Sequence, residues 1–137
     1  MKKLLSFLTP LILLFSCTSS KTALQITMVK HECGGAFGQA LATEAIAQKG
    51  EVFYVSKNNA SPKPIKVSKD NTLVINGAKG EVKIYIAEKI LTDVELASET
   101  CDRWRKTPDA SVTLQKGKHI VPVYFEVRCN PCILPKP

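Results

Sequence analysis

The ending of the chain most limits what it can fold into: an alternating run from His119 to Arg128 closes on Cys129-Asn130-Pro131-Cys132. Val121, Val123, Phe125 and Val127 fall on one face of that run, the period-2 pattern of a half-buried strand. Pro122 has no N–H to give to a ladder, which suits an edge strand or a bulge better than a central position. A C-x-x-C at the end of a strand is a redox couple, part of a metal site or a covalent staple. A redox couple is activated by the N-terminus of a following helix, which lowers the thiolate pKa. Only five residues follow Cys132, too few for such a helix. The compartment decides the rest, and the other end of the chain bears on that.

Lys2 and Lys3 precede a nearly uncharged apolar run, Leu4 to Phe15, interrupted by Pro10. The run is shorter than the roughly 20 residues of a spanning helix, and no second such segment follows. Residues 1–16 therefore read as a secretory signal. Leu14-Phe15-Ser16-Cys17 resembles the lipobox of bacterial lipoproteins, with Leu three residues before the cysteine and a small residue just before it. The resemblance implies cleavage before Cys17 and lipid on its thiol and new amino group. Each buried CH₂ contributes about 0.8 kcal/mol, so two or more acyl chains anchor stably. Thr18, in place of Asp, resembles the sorting signal for the outer membrane. The expected location is the bacterial cell envelope, lipid-anchored at the outer membrane.

Removing the first 16 of 137 residues leaves 121, enough for one domain. We expect a lipidated tether over 17–23 and one domain over 24–137. The chain carries 19 Lys+Arg against 12 Asp+Glu, and the leader takes two of the lysines, which leaves +5. The lysines stand in ones and twos along the sequence, as in Lys57, Lys63, Lys66, Lys69, Lys116 and Lys118. No basic block with interleaved aromatics occurs, so nucleic-acid binding is not expected, and attraction to anionic envelope surfaces has no clustering in the sequence behind it. With Cys17 acylated, Cys33, Cys101, Cys129 and Cys132 remain, an even set that favours two disulfides in an exported chain. Three pairings are open. A bridge within 129–132 would close a very small ring, so we expect both cysteines to reach back to Cys33 and Cys101.

Leu24, Ile26 and Met28 alternate with polar neighbours, a strand pattern. Gly34-Gly35 breaks regular structure. Phe37 to Gln48 is rich in Ala, Glu and Gln with apolar residues near helical spacing and Gly50 beyond its end, which predicts one short helix near the N-terminus. From Glu51 the pattern turns β: Val52 to Ser56, a turn over 58–62, Ile65 and Val67, and Thr72 to Ile75. Asn76-Gly77 predicts a hairpin into Val82, Ile84 and Ile86. Leu91 to Thr107 reads as a crossover loop pinned by Cys101. Val112 and Leu114 begin a further strand, and Lys116-Gly117-Lys118 is a turn before the last one. The prediction is a mainly β chain, a single antiparallel β-sandwich of six or seven short strands.

Cys33-Gly34-Gly35-Ala36, the strand-turn-strand stretch Val52 to Ile86, Thr107-Pro108-Asp109 before a strand, Lys116-Gly117 and the Cys129-x-x-Cys132 ending with Pro135 and Pro137 together resemble a group of small exported lipoproteins from Bacteroidota-type bacteria. These carry a carboxypeptidase-regulatory-like, transthyretin-like β-sandwich. The resemblance implies a non-catalytic domain.

Three constellations bear on chemistry. Cys129 and Cys132 as a thiol-redox pair lack the helix noted above. His31, Cys33, Cys129 and Cys132, with His119 in reserve, supply zinc-type ligands, but an oxidising compartment consumes the thiolates this needs. Asp102, Asp109 and His119 are too dispersed to imply a hydrolytic triad, and no Gly-x-Ser-x-Gly occurs. The expected function is a non-catalytic binding or structural role in the envelope, with a protein or glycan partner, no enzyme activity and no cofactor or metal. The competing reading is a periplasmic metal-binding or thiol-redox protein built on Cys129/Cys132 with His31/Cys33.

Overall fold

The computed structural model describes residues 20–33, 42–77 and 79–134. It is mainly β, with two four-stranded sheets. Strand β1 spans Lys21–His31, β2 Ala42–Ile46, β3 Val52–Lys57, β4 Lys63–Lys66, β5 Thr72–Asn76, β6 Gly80–Ile86, β7 Ala110–Leu114 and β8 Ile120–Val127. Two short helices, α1 Ala87–Leu91 and α2 Glu99–Lys106, lie between β6 and β7.

β1 is the spine of the first sheet. It pairs in parallel with β8 over Ala23–Lys30. It pairs antiparallel with β5 over Lys21–Gln25 and with β2 over Thr27–His31. Because β8 occupies one edge of β1 along both stretches, β2 and β5 must share the other edge end to end. The second sheet is antiparallel throughout, in the order β4-β3-β6-β7.

The alternation read from the sequence sets which side chains enter the core. Leu24, Ile26 and Met28 of β1, Leu73 and Ile75 of β5, and Val123 and Phe125 of β8 turn inward from one sheet. Phe53, Val55, Val82, Ile84, Ile86 and Leu114 meet them from the other, within one continuous cluster. Phe53 and Phe125 join the sheets edge to face, with centroids 6.5 Å apart. Each such fully buried side chain contributes roughly 1.5–3 kcal/mol.

Several expectations require correction. The helix over 37–48 is not present in its described part: Ala42–Ile46 is strand β2, with Ala42 opposite His31 and Ile46 opposite Thr27. Residues 37–41 lie outside the described residues. An open edge of β1 overrides the helix propensity of Ala and Glu in so short a segment. Helix α2 falls instead within the expected crossover loop and α1 just ahead of it, so the short helix is not near the N-terminus. Asn76-Gly77 reverses the chain but makes no hairpin, since β5 belongs to one sheet and β6 to the other. Gly77 holds a φ of 109° there, and the Lys57 ammonium sits where a Cβ would project.

The first sheet is not wholly antiparallel. β7 ends opposite Gly80, at the end of the molecule where β1 begins. After the short turn that follows, β8 can only run alongside β1 in the same direction. Strand β1 also starts at Lys21, ahead of the expected tether boundary, with Thr22 buried and its Oγ1 donating to the Gly77 carbonyl. Pro122 lies on β8, which pairs with β1 alone, the edge position expected of it.

Candidate functional site

The strands run between two poles, and the cysteines converge on one. β1 delivers His31 and Cys33 there, β8 delivers Arg128 and Cys129, and the helical excursion between β6 and β7 adds α1 and α2. Cys33 is bonded to Cys129, with Cα atoms 5.6 Å apart, and Cys101 to Cys132, with Cα atoms 4.9 Å apart. Neither cysteine of the C-x-x-C closes on the other. The first bridge is exposed and the second is buried.

Hydrogen bonds stitch the C-terminal segment across this pole. The Cys132 carbonyl accepts from the backbone N–H groups of Glu95 and Leu96. The Leu134 N–H donates to Glu95 Oε2, Asn130 Nδ2 to Glu88 Oε1, and the Cys132 N–H to Asn130 Oδ1. Helix α2 is capped by Ser98, whose hydroxyl accepts from the Cys101 N–H and so fixes the cysteine in the first turn. The signal for that helix is in its charges rather than in apolar periodicity: Glu99 and Asp102 lie in the first turn and Arg103, Arg105 and Lys106 in the last, which complements the helix dipole.

Beneath α1 sits an ionic cluster that the sequence gives no sign of. Lys89 Nζ lies 2.9 Å from Asp109 Oδ1, donates to the Thr107 carbonyl and stands 5.2 Å from the Trp104 ring centroid. Asp109 Oδ2 accepts from the Ile86 N–H at 2.8 Å. The two charged groups thus satisfy each other, the start of α1 and the approach to β7. Burial, then the carboxylates of Asp109 and Glu81, hold the Tyr85 phenol above its ordinary pKa, so it stays neutral at physiological pH.

The Cys33–Cys129 bridge borders an open cleft of about 560 Å³ whose walls include Lys30, His31, Glu88, Val127, Arg128, Ile133 and Leu134. His31 Nε2 is buried without a hydrogen-bond partner, 3.7 Å from Glu126 Oε2. The cleft offers a mixed apolar and charged surface, the kind that suits contact with another molecule. The Cys33 and Cys129 sulfurs are bonded to each other and Cys132 is bonded to Cys101, so the set His31, Cys33, Cys129, Cys132 presents no thiolate for a metal. Among the described residues, no group of three or more His, Cys, Asp or Glu is placed to hold a metal ion.

The residues weighed for hydrolysis are dispersed. Asp109 is committed to Lys89, Asp102 is exposed on α2, and His119 lies at the opposite pole. Cys17 lies outside the described residues. Some of the lysines that stand apart in the sequence meet in space: Lys21, Lys57, Lys79, Lys116 and Lys118 line one cavity with His119, while Lys63, Lys66 and Lys69 are not among its walls. Compared with protein-family models, with curated proteins and with solved structures, the chain matches none of them.

Proposed function

We propose that this is a lipid-anchored protein of the bacterial cell envelope whose domain has a non-catalytic, binding or structural role. The observation that carries the reading is the cysteine accounting. Two bridges use four of the five cysteines and point to an oxidising compartment. That leaves Cys17, at the end of the apolar leader, for acyl chemistry. Two sheets over one core support a β-sandwich of the transthyretin- or immunoglobulin-like kind, in line with the resemblance to carboxypeptidase-regulatory-like lipoproteins. The cleft at the disulfide pole is the surface we assign to a protein or glycan partner in the envelope, with the outer membrane as the site of anchoring.

The competing metal or thiol-redox reading requires Cys33, Cys129 and Cys132 as free thiols beside His31, whereas all three are in disulfides. The test of anchoring is fractionation of Cys17→Ala in the native host. Release of the variant from membranes, with the parent protein retained, is expected; retention of Cys17→Ala on membranes contradicts the proposal.

A further inference from the structure

The pole opposite the disulfides has a composition unlike the rest of the surface. Lys21 at the start of β1, Lys57 at the end of β3, Lys79 before β6, and Lys116 and Lys118 around the Gly117 turn border one open cavity of about 700 Å³, with His119 and Ser20. No acidic residue is among its walls. None of the ion pairs among the described residues engages these lysines. Lys57 Nζ donates to the Asn76 carbonyl, and the other four side chains are exposed. The turn at Gly117, with a φ of 90°, sets Lys116 and Lys118 on its two sides. Ile120, 61 % exposed, follows His119 in the chain.

The opposite pole has a different balance: residues 86–109 hold Glu88, Asp93, Glu95, Glu99, Asp102 and Asp109, half of the chain's 12 acids, against four bases, Lys89, Arg103, Arg105 and Lys106. The domain is therefore polarised along its strands. Like charges gathered around one cavity repel one another, and an anionic surface relieves that repulsion.

We propose that this lysine-lined pole is a contact surface for anionic lipid headgroups and orients the domain on the membrane with the disulfide pole outward. The proposal rests on anchoring through Cys17 for its geometry. Three Cα steps separate Cys17 from Ser20, a reach of at most about 11 Å. Ser20 lines the same cavity, so acylation would hold the lysines within roughly one Debye length of the headgroups. Each lysine so placed strengthens association about fivefold.

The test is amine labelling of the native acylated protein, read lysine by lysine by mass spectrometry. It is run on vesicles of phosphatidylcholine alone and on vesicles that also contain phosphatidylglycerol. Anionic vesicles are expected to slow labelling of Lys21, Lys57, Lys79, Lys116 and Lys118 about fivefold or more and to leave Lys66 and Lys106 unchanged. Molar salt, which shortens the screening length to roughly 3 Å, restores the rates. Equal labelling on both vesicles overturns the proposal while anchoring stands. So does protection of the same lysines by inorganic phosphate on neutral vesicles, which assigns the cavity to a small free anion. If the protein fails to float with neutral vesicles, anchoring falls; flotation with anionic vesicles then supports the lysine surface, and failure to float with them overturns it.

Discussion

Lys89 and Asp109 lie 2.9 Å apart, each side chain about 5 % exposed, and their contacts explain how a short polar excursion is held against a β core. Lys89 also bonds the Thr107 carbonyl and faces Trp104, while Asp109 caps the Ile86 N–H. Two charges out of water are tolerated only while both are present. Lys89→Met leaves an uncompensated buried carboxylate, and denaturant unfolding is expected to show a loss of about 3–5 kcal/mol. Adding Asp109→Asn, which keeps an acceptor for the Ile86 N–H without the charge, is expected to restore more than half of that. A loss below about 1 kcal/mol, the range of an exposed pair, contradicts the account. Nothing in the sequence marks this pair, because Lys89 and Asp109 look like ordinary surface charges until α1 and β7 bring them together.

The two bridges tie different elements and differ in exposure. Cys33–Cys129 links the loop after β1 to the end of β8 across 96 residues and is exposed; Cys101–Cys132 links α2 to the C-terminal segment across 31 and is buried. In the chain-entropy account the two contribute about 4.7 and 3.7 kcal/mol. Stepwise reduction under native conditions is expected to open Cys33–Cys129 first, with Cys101–Cys132 yielding only on unfolding. Peptide mapping of the partly reduced protein checks the order, and first release of Cys101 and Cys132 contradicts it. Strands with clean alternation, such as β1, β6 and β8, were legible in the sequence because one buried face imposes its period on the residues. β2 was not, since its mostly exposed side chains carry no such period and only the edge of β1 makes it a strand. α2 was missed for a related reason: apart from Cys101 and the half-buried Trp104 it presents charge, and its markers are the Ser98 cap and the order of its charges. Asn76-Gly77 announced a reversal correctly but not that the chain changes sheets there. That choice is made by β1 and β3, which claim β5 and β6 separately.

At the scale of the whole molecule the strands define an axis with a disulfide-locked pole at one end and five lysines at the other. The cysteine pole was partly legible, since an even set of four in an exported chain implies bridges and a 129–132 ring is unfavourable. The lysine pole was not, because Lys21, Lys57, Lys79 and the Lys116-Gly117-Lys118 turn are distant in sequence and meet only where strand ends and turns converge. The beginning of β1 joins that pole to the segment carrying Cys17, so the proposed anchoring at Cys17 and the proposed orientation on the membrane form one arrangement. Anchoring in this arrangement depends on Cys17. The most direct measurement is the mass of the N-terminal peptide of the mature protein extracted from host membranes. A peptide beginning at Cys17 and heavier by its acyl groups is the expected result. A mature chain that begins elsewhere, or one with an unmodified Cys17, contradicts it.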